Sequence, residues 1–142
     1  MEYWISPTPA PGTRVPIGEA KLCRAGSDVS VIGYGAQVLD ALQVAESMAG
    51  EGVDVEVVDL RTIQPFDREA IMASVAKTKR AVVAHEARAR FGPGAEIASQ
   101  IYEELFSELV APVQGPGVYR VEVRLDGRPW IFSNPIYVKA PA

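Results

Sequence analysis

A repeated alternation of short apolar runs and helical stretches constrains the fold of this chain more than any other feature. The runs are rich in β-branched residues, as expected for strands that are buried on both faces, and they cover residues 29–34, 53–60 and 81–84. Apolar residues at helical spacing follow each run, over 36–49, 67–77 and 95–110. This order predicts an α/β fold: a three-layer, mostly parallel open sheet with flanking helices and right-handed crossovers.

The chain divides into three predicted parts. Residues 1–16 contain four prolines and are interpreted as a proline-rich arm or linker. Residues 17–114 form the α/β domain, with a further short strand within 17–24. Residues 115–142 form a tail of different character: the net charge is −6 over 1–114 (10 basic, 16 acidic) but +2 over the tail (4 basic, 2 acidic).

The tail is predicted to be a β-hairpin that packs on the domain. Apolar and charged residues alternate from Tyr119 to Leu125, and Asp126-Gly127 is typical of a type I′ turn. A two-residue turn pairs 125 with 128, 123 with 130 and 121 with 132, which gives the hairpin one apolar face. Because an isolated hairpin is marginal in water, we expect this face to pack against the α/β body.

Composition excludes several function classes. The net charge of −4 argues against a nucleic-acid-binding protein, which normally presents a basic face. Cys23 is the sole cysteine, so no disulfide forms within the chain, and we interpret Cys23 as a small apolar filler. The sequence shows no signal peptide and no run near the ~20 apolar residues that span a bilayer. We therefore expect a cytoplasmic protein without membrane or nucleic-acid partners.

Candidate binding residues lie where the three predicted strands end. In open parallel sheets, ligands bind outside the carboxyl ends of the strands. The residues at these ends are Gly33 and Gly35, Asp59 and Arg61, and His85 and Glu86. They predict a crevice that would take a nucleotide or another anion. The sequence offers no catalytic set and no metal site, since His85 is its sole histidine.

Each of these residues also has a plain structural interpretation. Val38 occupies the third small position of the dinucleotide fingerprint, so a tight turn into a helix is favoured over a cofactor site. His85-Glu86 is either a proton carrier or, as we favour, a polar strand cap bonded to the following loop. Arg88 and Arg90 either bind an anion together with the next helix N-terminus or form a solvated basic loop.

A series of motifs, in order along the chain, carries a family resemblance. They are Val15-Pro16-Ile17-Gly18-Glu19-Ala20, residues 28–35, residues 55–67, Ser74-Val75-Ala76-Lys77-Thr78, His85-Glu86-Ala87, residues 91–98 and Ala111-Pro112-Val113. Over about residues 15–114 the chain resembles the transketolase-type C-terminal domain of 2-oxo acid dehydrogenase (pyruvate or branched-chain) beta subunits. The sequence departs from that family at Phe91-Gly92-Pro93-Gly94, where a Gly-Gly-Phe-Gly-like loop is usual. After Val113 the hairpin stands in place of a closing helix, and it is similar to the closing β segment of PHP-type phosphoesterases.

The resemblance implies a role in assembly. In that family, thiamine diphosphate, with magnesium, lies between an alpha subunit and the N-terminal half of the beta subunit, which also supplies the activating glutamate. It follows that this chain alone binds no cofactor. The leading hypothesis is a non-catalytic domain that contacts other subunits of a 2-oxo acid dehydrogenase complex or self-associates. The alternatives are a small nucleotide- or anion-binding module and a recombined or engineered chimera without native activity.

Overall fold

The computed structural model describes residues 10–87 and 92–110 in full and, beyond them, the backbone of four short strands. The body of the molecule contains strands β1 (Lys21–Arg24), β2 (Val29–Gly33), β3 (Val55–Asp59) and β4 (Ala81–Ala84). Its helices are α1 (Ala36–Ala49), α2 (Arg68–Thr78) and α3 (Pro93–Leu105). The predicted order of strands and helices is confirmed. Within this part of the chain, no helix is long and apolar enough to cross a membrane.

The four strands form one mixed sheet in the order β1-β3-β2-β4. β2 lies parallel to both β3 and β4, while β1 pairs antiparallel with β3 at one edge. The chain passes from β2 through α1 to β3 on one side, and then through α2 to β4 on the other side of β2. Right-handed crossovers in opposite directions place α1 and α2 on opposite faces of the sheet. The predicted mostly parallel, three-layer α/β architecture is therefore confirmed.

Two apolar clusters, one on each face of the sheet, hold these layers together. On one face, Val38, Ala41 and Ala45 of α1 pack on the β3 side chains Val55 and Val57. On the opposite face, α2 and α3 cover the sheet with the buried residues Ile32, Val58, Leu60, Ile71, Val75, Ile97, Ile101 and Leu105. The buried face of α1 ends before the last residue of the helix, because Ala49 is exposed.

The helix boundaries follow local signals. Asp67 caps α2 as predicted: its Oδ1 accepts the Ala70 N–H at 3.0 Å. Pro93 occupies the first turn of α3, where a missing N–H costs nothing, so that helix begins two positions before the predicted Ala95. It ends at Leu105 rather than Val110, because the Glu108 and Leu109 N–H groups both bond to the Leu105 carbonyl in a closing turn.

Beyond residue 110 the backbone contains β5 (Gly117–Tyr119), β6 (Glu122–Leu125), β7 (Arg128–Phe132) and β8 (Ile136–Val138). β6 pairs antiparallel with β7, and β5 pairs antiparallel with β8. Leu125 opposes Arg128. Val123 opposes Ile131 and not the predicted Trp130, and Phe132 opposes Glu122 and not Val121, because the register shifts next to Pro129. The side chains of this tail and its predicted packing, like residues 1–9 of the arm, lie outside the described residues.

Candidate functional site

The three predicted strand ends meet at one edge of the sheet. Gly33 at the end of β2 is in register with Asp59 of β3 on one side and with Ala84 of β4 on the other. The chain then turns to α1 on one face and to α3 on the opposite face, so the predicted crevice would lie between β2 and β4. The structure therefore brings the predicted site residues Gly33, Gly35, Asp59, Arg61, His85 and Glu86 to the same edge.

Each glycine at the end of β2 has a local structural reason. A Cβ at Gly33 would lie 3.3 Å from the Ala84 carbonyl oxygen, so a side chain there would crowd the neighbouring strand. Gly35 is the N-cap of α1 and has φ 62°, a conformation that glycine adopts without strain. This geometry agrees with a tight turn into the helix.

Asp59 and Arg61 form a compact turn after β3. Arg61 has φ 56°, a left-handed conformation that is uncommon for a residue with a side chain. The Asp59 Oδ1 accepts the Arg61 N–H at 3.0 Å, which holds this turn in place. The Arg61 side chain is exposed. Strained residues of this kind often occur at ligand sites.

His85 and Glu86 face two residues that sequence reasoning missed. The buried amide of Gln37 donates to the Glu86 Oε1 at 3.0 Å, so the first turn of α1 is tied to the end of β4. The His85 imidazole lies against Gly94 in the first turn of α3. Its burial lowers the pKa of His85 below the usual value, which favours the neutral ring at pH 7. Within the described residues its Nδ1 has no hydrogen-bond partner.

The loop that would bond to His85 lies outside the described residues. It comprises residues 88–91 and includes Arg88 and Arg90. The predicted strand cap and the predicted anion-binding arginines therefore stay predictions.

Alanine at position 94 is expected to displace the His85 ring. A Cβ built on Gly94 would lie 2.1 Å from the His85 Nε2 and 2.2 Å from its Cδ2, far inside van der Waals contact. We expect Gly94→Ala to lower the free energy of unfolding by about 1–3 kcal/mol, the usual cost of overpacking. Urea denaturation of Gly94→Ala and of the double variant His85→Ala/Gly94→Ala measures this. The double variant should recover stability, and equal losses in both would contradict the clash.

A second polar cluster lies at the opposite, amino end of the strands. Glu56 is 2% exposed, and its Oε1 accepts from the Ser74 hydroxyl at 2.6 Å. Its Oε2 accepts from Lys77 and from the Gly26 N–H. Burial would raise the pKa of Glu56, but these hydrogen bonds outweigh burial and lower it. The buried Ser30 hydroxyl completes the network, at 2.7 Å from both Ser74 Oγ and Thr78 Oγ1.

Cys23 behaves as the predicted apolar filler. It is half-buried and packs against the α1 cluster. Burial, and then the negative charge of Asp59, raise the pKa of the Cys23 thiol above its usual value. The thiol is therefore protonated at neutral pH and poorly nucleophilic.

Comparison with known proteins identifies the relatives of this domain. A sequence model of the family described as "Transketolase, C-terminal domain" matches residues 18–125. The "Pyruvate dehydrogenase E1 component subunit beta" of Staphylococcus epidermidis is 43% identical over 100 residues, which are 70% of this chain and 31% of that protein. The protein of the same name from Staphylococcus aureus is 43% identical over 99 residues, 70% of this chain and 30% of that protein.

A solved structure shows the same fold. It is described as "Split gene transketolase, inactive beta4 tetramer" and superposes with a TM-score of 0.62 at 30% identity, over 67% of this chain and 32% of that one. The chain thus spans about a third of the length of the relatives it matches. The family match continues past Gln114 to residue 125, so it gives no support to a chimeric junction after Gln114.

Proposed function

This chain belongs to the transketolase C-terminal domain family, and we propose on that premise that it is a non-catalytic assembly domain. In this proposal it contributes subunit contacts to a thiamine-diphosphate-dependent 2-oxo acid dehydrogenase, as part of a beta subunit. Two of its relatives carry the name of a pyruvate dehydrogenase beta subunit, and a third is described as a tetramer of beta chains. These names support protein partners, including further copies of the chain.

The observation that carries the proposal is an exposed apolar surface on the β1 side of the domain. We call it the arm-side patch; it consists of Val15, Ile17, Leu22 and Ile63, all exposed. The Gly18 N–H donates to the Thr62 hydroxyl at 2.9 Å, which ties the chain beside Ile17 to the loop beside Ile63. Exposed branched apolar side chains held in an ordered surface are typical of protein–protein contacts.

The groove beside this patch is apolar as well. It lies between β1 and α2, has a volume of about 250 Å³, and is lined mainly by Ala20, Leu22, Val58, Ala70 and Ala73. β1 is also the edge strand of the sheet, so its outer backbone groups have no strand partner in the described sheet. Together these features support a subunit contact on this side.

Within the described residues, the strand ends do not fit thiamine diphosphate with magnesium. A diphosphate there would meet two acidic residues, Asp59 and Glu86, and one carboxylate oxygen of each already accepts a hydrogen bond from a neighbour in the chain. Within residues 10–87 and 92–110, no three His, Cys, Asp or Glu side chains come together as metal ligands.

Self-association through the arm-side patch tests the proposal. We expect sedimentation velocity of the purified chain to show dimers or larger species, and Ile63→Asp to shift them to monomer, because a buried unpaired carboxylate is costly at an interface. Val44→Asp on α1 is the matched control, since Val44 and Ile63 are each 44% exposed. A chain that stays monomeric at every concentration, or equal responses of the two variants, would contradict the proposal.

A second candidate function is nucleotide or anion binding at the strand ends, favoured by the left-handed Arg61 at the same edge of the sheet. Calorimetric titration with NAD, ATP and thiamine diphosphate separates the two functions. The assembly proposal expects no binding and no turnover of pyruvate with thiamine diphosphate, magnesium and an artificial acceptor. Micromolar nucleotide binding that is lost in Asp59→Ala would support the second function, and turnover by the chain alone would refute a non-catalytic role.

A further inference from the structure

Helix α3 and the turn after it have apolar side chains that the core does not bury. Its buried row, Ile97, Ile101 and Leu105, faces the sheet. The next row, one position further along the chain, contains Tyr102 and Phe106, which are 46% and 57% exposed. Val110 lies beyond the helix in line with this row and is 45% exposed. The Tyr102 and Phe106 rings pack together with centroids 4.6 Å apart. We call these three residues the α3 stripe; its width indicates that another element packs there.

The surroundings of the α3 stripe are acidic. Residues 93–110 contain no lysine or arginine, and their four acidic residues are all exposed: Glu96, Glu103, Glu104 and Glu108. Of these, Glu104 forms an ion pair with Arg68 of α2. The segment that carries the stripe therefore has a net charge of −4, which favours an occupant that is both apolar and basic.

The segment that follows in the same chain has this chemistry. Residues 111–142 include Tyr119, Trp130, Phe132 and Tyr137, and the net charge of 115–142 is +2. Arg120 and Arg124 alternate with apolar residues in this segment, so its arginines and its apolar groups could meet the acidic rim and the stripe together.

The point at which the chain leaves the body also favours this occupant. The Val110 N–H donates to the Lys79 carbonyl at 2.9 Å, which fixes the chain at the end of the α3 stripe. Residue 111 follows directly, so contact within one chain needs only a short connection and little loop-closure entropy. We propose that residues 111–142 pack with their apolar side chains over the α3 stripe of the same chain.

Tryptophan fluorescence of the full chain tests the proposal. Trp4→Phe leaves Trp130 as the single tryptophan. We expect blue-shifted emission and weak acrylamide quenching in this parent. Adding Phe106→Asp should shift the emission to the red and raise the quenching constant toward that of the denaturant-unfolded chain. The double variant Glu103→Lys/Glu108→Lys should also raise the quenching constant, but by less than Phe106→Asp does. Val44→Asp on the opposite layer is the control and should leave Trp130 protected.

Four outcomes would overturn the proposal. Quenching that is strong in the parent, or unchanged by Phe106→Asp, would show that Trp130 does not lie on the stripe. Protection that disappears on dilution would assign the stripe to a second copy of the chain. If far-UV circular dichroism shows that Phe106→Asp is unfolded, Tyr102→Ser is measured in its place, and unchanged quenching there would overturn the proposal equally. None of these readouts depends on self-association through the arm-side patch, so the two proposals fail separately.

Discussion

Alanine in place of Gly26 is expected to cost a large part of the folding stability of this domain. A Cβ at this buried position would lie 2.3 Å from the Val55 carbonyl carbon and 2.4 Å from the Glu56 nitrogen. Both atoms are backbone atoms of β3, which is bonded to strands on both sides, so no rotamer change relieves the clash. Overpacking against a flexible side chain costs about 1–3 kcal/mol, so we expect Gly26→Ala to lower the free energy of unfolding by more than about 3 kcal/mol. The total free energy of unfolding of a domain is typically roughly 5–15 kcal/mol.

Gly50→Ala supplies the matched control for this substitution. Gly50 has φ −65° at the end of α1, and an added Cβ would have the Ser47 carbonyl oxygen, at 3.2 Å, as its single close neighbour. We expect a change within about 1 kcal/mol, because alanine adopts this conformation readily. Urea denaturation gives both values. Similar midpoints for Gly26→Ala and Gly50→Ala would show that β3 can move away from residue 26.

The sequence predicted the fold well where the signal was local. The apolar runs at 29–34 and 53–60 contain β2 and β3, because strands that are covered on both faces need apolar side chains on both. Asp67 marked the start of α2 correctly. The antiparallel direction of β1 was not predictable, since direction depends on which strand it meets and not on its own residues. The end of α3 was missed because the apolar spacing continues through the turn to Leu109.

The candidate site could be predicted in outline and not in its contacts. Parallel strands bring Gly33, Asp59 and His85 to one edge, and this follows from topology alone. The bond from Gln37 to Glu86 joins residues 49 positions apart, and the contact of His85 with Gly94 spans the connection from β4 to α3, so no strand or helix period shows either one. One signal was available: Glu56 interrupts an otherwise apolar buried strand, and a buried carboxylate requires partners.

The second large loss of stability is expected on removal of Lys77, the cation that pairs with the buried Glu56 carboxylate. Lys77 is half exposed, with 49% of its side chain accessible, but the Glu56 side chain it contacts is 2% accessible. Lys77→Met keeps most of the aliphatic packing and leaves the buried carboxylate without its cation. We expect the free energy of unfolding to fall by about 2–3 kcal/mol at pH 7. This value is near the lower end of the cost of breaking a buried ion pair, because solvent reaches the lysine.

Arg68→Met is the control for this variant. The Arg68 side chain is 54% accessible, close to that of Lys77, and it also pairs with a glutamate, but that Glu104 side chain is 34% accessible. Removing this surface pair should change the free energy of unfolding by less than about 1 kcal/mol. The two variants thus differ mainly in how deeply the partner carboxylate is buried. Equal losses would show that Glu56 does not depend on Lys77.

The pH dependence of the stability lost in Lys77→Met distinguishes a broken ion pair from lost packing. The folded protein lowers the pKa of Glu56, so the stabilisation is present above the carboxyl's unfolded pKa of about 4.3 and is lost as the pH falls through the lower folded value. A protonated Glu56 needs no cation. The deficit of Lys77→Met should therefore be largest near pH 7 and shrink in acid, as measured by urea denaturation across that range. A deficit that stays constant down to the acid transition would assign the effect to the methylene packing of Lys77, because packing does not titrate.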